Sequence, residues 1–126
     1  MKKFVLLYVC MFLMIPVFAQ TNFQDLSLVK ALELAKSEKK LVFIDCYTSW
    51  CGPCKMMSSE VFTQDQVGEY FNRAFVNLKV DAEKGEGVEL AKKYQVKVYP
   101  TFLILNEDGE VIHKIVGGMK AEEFLQ

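Results

Sequence analysis

The chain has 126 residues, 52% of them hydrophobic, 13% aromatic and 25% charged, with a formal net charge of −1. That is enough apolar material to fill one core and too little chain for two domains. The near balance of 15 basic and 16 acidic side chains leaves no electrostatic case for nucleic acid or an anionic membrane as a partner.

Met1-Lys2-Lys3 is a short basic start, Phe4 to Phe18 is almost wholly apolar, and Val17-Phe18-Ala19 resembles a signal-peptidase site. Residues 1–19 therefore read as a secretory signal cut before Gln20, and 20–126 as the mature domain. The alternatives are weaker. An uncleaved anchor would have to span with a run of about fifteen apolar residues, where about twenty are needed. A lipid-modified Cys10 would follow Val9, a larger residue than such sites want. Cleavage leaves 13 basic and 16 acidic side chains, a charge of −3, and three cysteines, Cys46, Cys51 and Cys54. The expected location is the periplasm or the medium, where disulfides persist, with no stable membrane insertion after processing.

After a polar lead, Ser27 can cap a helix whose apolar positions Leu28, Ala31, Leu32 and Ala35 follow the i, i+3, i+4, i+7 pattern. The charged stretch 36–40 ends it, and the apolar run 41–46 reads as a buried strand. A second helical region is expected over 52–72, with a kink or restart at Thr63-Gln64-Asp65. Its Met56 and Met57 fit either a core or a substrate-contact surface. Residues 75–80 alternate as a strand that Asp81 ends. A helix over 88–94 follows, with Leu90, Ala91 and Tyr94 inward. The run 96–105 is β-branched and aromatic but interrupted by Pro100, and proline normally demotes an interior strand. Asn106-Glu107-Asp108-Gly109 is a turn before a strand over 110–116, and Gly117-Gly118 breaks that strand ahead of a last short helix, which ends at Gln126 and reads as cut short. This order predicts an α/β domain, a mixed four-stranded sheet flanked by helices on both faces.

Chemistry concentrates in Trp50-Cys51-Gly52-Pro53-Cys54-Lys55. Two thiols two residues apart, where a strand gives way to a helix, suggest reversible dithiol/disulfide chemistry. Cys51 is expected at the helix N-terminus, where unpaired N–H groups and the helix dipole favour thiolate. Lowering a thiol pKa from about 8.5 to about 7 needs roughly 2 kcal/mol, within reach of such a terminus. A purely structural disulfide is the competing reading. In the chain-entropy model it would close a loop of about four residues for about 1.9 kcal/mol, against about 3 for fifteen residues. Half of a metal site is a further alternative, but no second CxxC or HxxxH exists and the single histidine, His113, falls in an expected surface strand.

With Asp45 six residues before the first thiol, Tyr99-Pro100-Thr101, and Gly117 after the final strand, this motif resembles the thioredoxin family over about residues 27–126. The lead-in through Lys40 is most similar to exported members, including periplasmic thiol:disulfide interchange domains. The resemblance implies a thioredoxin fold, a redox-active Cys51-Cys54 disulfide in place of any other cofactor, and a monomer acting on protein disulfides with an upstream thiol reductant. It implies Cys51 as nucleophile, Cys54 as the shielded resolving thiol, and Asp45 as the base that takes the Cys54 proton through water. A strand-end Asp45 that merely satisfies backbone groups is the plainer alternative.

Pro100 is expected in cis, with Tyr99 offering backbone groups to an extended substrate, and a trans edge-strand proline as the alternative. Trp50, Gly52, Pro53, Tyr99, Pro100 and Gly117 would border the docking groove. Trp50 could equally be packing. Two departures from the family stand out. Asn77 occupies the position where many members carry a lysine near the acid, so Asp45 should be harder to ionise. Cys46 adds a thiol beside Asp45, expected on the opposite sheet face and buried. The expected activity is reduction of protein disulfides. A thiol oxidase or isomerase of the same fold and a non-enzymatic interaction module are the alternatives.

Overall fold

Alternation along β1 (Leu41–Tyr47) divides the molecule. In the computed structural model, which describes residues 19–126, Val42, Ile44 and Cys46 face one side of the sheet and Phe43 the other. On the first side they meet Ala31 and Ala35 of α1 (Leu28–Glu38) and Leu90 and Ala91 of α4 (Glu86–Lys93). On the second, Phe43 meets Phe71 of α3 (Asp65–Ala74) and Phe124 of α5 (Ala121–Phe124). Helices thus cover both faces, as the element order implies.

The sheet runs β2-β1-β3-β4, with β2 (Phe75–Asp81) parallel to β1, while β3 (Thr101–Leu105) and β4 (Val111–Val116) are antiparallel neighbours. This is the mixed four-stranded sheet expected from the sequence. Ser27 caps α1 by accepting from the Lys30 N–H at 3.3 Å.

Three segments depart in part from the sequence reading. The helical region expected over 52–72 restarts with α3 at Asp65, within the break expected at 63–65, but before that break α2 (Gly52–Met56) runs into a π-helical turn (Met57–Val61). The run 96–105 is strand only from Thr101 onward, because Pro100 has no N–H for a ladder. The polar lead is also bound to the domain. Phe23 bridges Asn77 in parallel, the Gln24 N–H donates to the Asn77 carbonyl at 2.9 Å, and Asn72 Nδ2 donates to the Gln20 carbonyl at 2.7 Å. Gly68 on α3 makes room for this lead, since a Cβ there would lie 1.9 Å from the Ala19 carbonyl oxygen. The expected signal segment lies, apart from Ala19, outside the described residues. Among the described residues no helix is long and apolar enough to cross a membrane.

The second face is built from aromatic rings around Phe43, whose centroid lies 4.8 Å from Phe71, 5.7 Å from Phe102 and 5.9 Å from Phe62. Removing this ring leaves a cavity that neighbours on four elements cannot close together. Phe43→Ala should cost about 3–5 kcal/mol, read as a lower denaturant midpoint.

Candidate redox site

At the end of β1 the chain leaves the sheet and reaches Cys51, whose extended backbone (φ −79°, ψ 113°) makes it the N-cap of α2. Its Sγ accepts a hydrogen bond from the Cys54 N–H at 3.2 Å, so a free helix-start donor points at that sulfur. Cys51 and Cys54 are joined as a disulfide, with Cα atoms 5.3 Å apart. Pro53 sits in the first turn, where a missing N–H costs nothing. Cys54 is shielded, as expected, and Cys51 is equally so: both residues are 3% exposed in this oxidised form. Access to Cys51 is left beside Gly52, which is exposed and has no atom within 4 Å of where a Cβ would stand.

Two other loops meet this turn. The Tyr99-Pro100 peptide is cis, and the Pro100 carbonyl accepts from the Gly117 N–H at 2.9 Å. Gly117 has φ +96°, a left-handed conformation that favours glycine. Beyond it, a Cβ on Gly118 would lie 3.2 Å from Pro53 Cβ and from Met56 Cε, so this loop packs directly on α2. On the other flank the Trp50 ring stands edge-on to Tyr99, with centroids 6.1 Å apart, and its Nε1–H donates to Glu83. Trp50 is 66% exposed, so it is not core packing. The six rim residues expected from the sequence are thus brought together from three places: Trp50 with Gly52 and Pro53 at the start of α2, Tyr99 and Pro100 on the cis-proline loop, and Gly117 on the loop after β4. The two methionines divide: Met57 is core, whereas Met56 is half-buried against the Gly118 loop.

Asp45 shares the Phe43 face of β1 and is 0% exposed, with neither carboxyl oxygen hydrogen-bonded. It does not satisfy backbone groups, which removes the plainer reading of this residue. Burial pushes its pKa up from 3.8 to about 7, and Lys79 partly opposes that rise. Lys79 is the parallel register partner of Asp45 on β2. Here the sequence reading needs correcting, because an ammonium group does stand near the acid. Asn77, two residues earlier, pairs with Phe43, and its Nδ2 donates to the Phe71 carbonyl at 3.2 Å. Lys79 Nζ in turn donates to Ser58 Oγ on the π-helical turn. Lys79, Ser58, Cys54 and Thr48 line a common pocket of about 290 Å³, large enough for water beside the second thiol.

Cys46 points into the opposite core, as alternation predicts, and is free and buried. Burial first, and the Asp45 charge second, push its thiol up to about 12, with Lys114 opposing. A thiol held protonated and out of solvent is a poor nucleophile. His113 is exposed on β4, and among the described residues no group of three or more His, Cys, Asp or Glu side chains could hold a metal ion.

A family model described as thioredoxin-like domain matches residues 28–126. Among solved structures, that of a proposed disulphide-isomerase from Bacteroides thetaiotaomicron is 53% identical, with a TM-score of 0.77, over 86% of this chain and 90% of that one. The thioredoxin-like protein slr0233 of Synechocystis is 32% identical over 75% of this chain and 84% of its own length. Thioredoxin H2-1 of rice is 41% identical over 69% of this chain, which spans 58% of the rice protein.

Two outcomes follow from the buried groups. Native Asp45 keeps its proton up to about pH 7, whereas the unfolded chain releases it near 3.9, so stability falls as pH rises between these values and stays reduced above them. Asp45→Asn should abolish that slope and gain up to about 4 kcal/mol over the native chain at pH 8, measured by denaturant unfolding. Lys79→Met should move the slope to higher pH, because the attraction that lowers the carboxyl pKa is gone. For Cys46, alkylation of the native oxidised protein should leave it unlabelled and label it after unfolding; rapid native labelling would contradict its burial.

Proposed function

The chain belongs to the thioredoxin-like domain family, and on that footing we propose that its Cys51-Cys54 pair, a thiol:disulfide oxidoreductase centre, works in the reductive direction on protein disulfides of the cell envelope. The observation that carries the reading is the Cys51 sulfur, placed at a helix start and hydrogen-bonded by the Cys54 N–H, beside the cis-proline loop.

In the reduced protein the Cys51 thiolate attacks a substrate disulfide, forming a Cys51–substrate bond and expelling one substrate thiolate. Cys54 then loses its proton, and its thiolate attacks the Cys51 sulfur. The Cys51-Cys54 bond forms as the second substrate thiolate leaves, so two electrons pass to the substrate. Asp45, with a pKa of about 7, is matched to accept the Cys54 proton near neutral pH, through water that enters from the pocket Cys54 shares with Lys79, the register partner of Asp45. An upstream dithiol must return the electrons.

The extended segment around the substrate disulfide pairs with the backbone of Tyr99, seated by Pro100 and Gly117, while exposed Trp50 covers it and Gly52 and Pro53 leave the approach open. Export rests on the basic start, the apolar run and the Ala19 site, which make 1–19 a removable signal.

The likeness to a proposed disulphide-isomerase favours a second reading, isomerisation or oxidation by the same pair. The equilibrium potential separates them. A value near about −270 mV supports reduction, and one near about −120 mV supports oxidation. Cys51→Ser should abolish reduction of a protein disulfide, whereas Cys54→Ser should accumulate mixed disulfides with substrate. Full activity in Cys51→Ser would remove the dithiol mechanism altogether.

A further inference from the structure

Lys79 is exposed, and an exposed lysine ordinarily sends its ammonium group out into water. This one is held back. Its Nζ donates to Ser58 Oγ and lies 5.1 Å from the centroid of the Tyr47 ring and 5.8 Å from that of Phe23. Ser58 reaches it from the π-helical turn, where the Phe62 N–H donates at 2.9 Å to the Met57 carbonyl, five residues back rather than four. Ser58 and Lys79 then line the same pocket as Cys54. Among the described residues Lys79 forms no ion pair, and the Asp45 carboxyl accepts no hydrogen bond, so the ammonium acts on the acid through space rather than by contact.

We propose that Ser58 is a positioning residue: its hydroxyl keeps the Lys79 ammonium at the pocket beside Cys54, and that placement sets how readily Asp45 takes up and releases a proton. The inference rests on the reading of Asp45 as the base for Cys54, and it adds the group that adjusts that base. The groups around Asp45 that carry or can take a charge are Lys79 and Asp81 on β2, Cys46 and Tyr47 on β1, and Cys54 and Lys55 on α2. From β3 comes Phe102 in register, and α3 and α5 bring the uncharged rings of Phe71 and Phe124. Lys79 is the one of these whose charge draws the carboxyl toward ionisation. Attraction falls with distance, so an ammonium released to water a few ångströms further off stabilises the carboxylate less. Deleting the Ser58 hydroxyl therefore acts in the same direction as deleting the ammonium, and by a smaller amount.

The test titrates the Asp45 carboxyl carbon by NMR in the oxidised native protein and its variants, and in parallel follows the pH dependence of the rate at which Cys54 resolves a mixed disulfide on Cys51. Ser58→Ala should raise the carboxyl midpoint by roughly half a pH unit, the change for an ammonium moved a few ångströms at an effective dielectric constant of about 20. Ser58→Thr keeps a hydroxyl and should restore the native midpoint. Ser59→Ala controls for damage to the turn, because Ser59 Oγ donates to the Lys55 carbonyl at 2.9 Å, and it should leave the midpoint where it is. In Lys79→Met the midpoint should rise further than in Ser58→Ala, and adding Ser58→Ala to that variant should change nothing. An unchanged midpoint in Ser58→Ala, or a further rise when Ser58→Ala is added to Lys79→Met, overturns the positioning role. A carboxyl midpoint that moves while the inflection in the Cys54 rate stays put supports the link from Ser58 through Lys79 to Asp45 and counts against Asp45 as the base.

Discussion

A carboxyl group with no hydrogen bond, buried in the middle of the sheet, is the constraint around which the site is arranged. Asp45 lies on the aromatic face of β1, with Lys79 as its partner across the parallel register. Leaving such an acid in place costs stability whenever it is charged. The fold tolerates that cost because the same desolvation brings the carboxyl to about 7, the range in which a base can take a proton from a thiol near neutral pH.

The two faces of β1 divide labour. One residue further along, Cys46 enters the opposite core, and its thiol is kept protonated by the burial that packs it. On the Asp45 side, the π-helical turn carries Ser58 to Lys79, and the pocket shared by Lys79 and Cys54 joins the acid's counter-charge to the second thiol. A regular helix through 57–61 would rotate the following residues relative to α2. The irregular turn is thus part of the local geometry rather than a fault in it.

Much of this was legible in the residues. The acid in an apolar run, proline inside a β-branched run, the Asp108-Gly109 turn and the two-residue cysteine spacing each narrowed the local possibilities to two or three, and together they pointed to the sheet and the loops around the disulfide. The lysine partner was not legible. Asn77 and Lys79 project from the same face of β2, so alternation cannot choose between them, and only the register of a parallel pair separated by a helical connection does. The Trp50–Glu83 contact spans 33 residues and the Asn72–Gln20 contact 52, separations at which no periodicity operates. The division of the second helix was visible only as a break at 63–65, because hydrophobic spacing does not distinguish a π turn from an α turn over five residues.

The central claim is that Asp45 governs the proton of the second thiol. The most direct test follows the rate at which Cys54 resolves a mixed disulfide preformed on Cys51, between pH 5 and pH 9, in the native protein and in Asp45→Asn. An inflection near about pH 7 that is present in the first and lost in the second is the predicted result. The same profile in both proteins would contradict it.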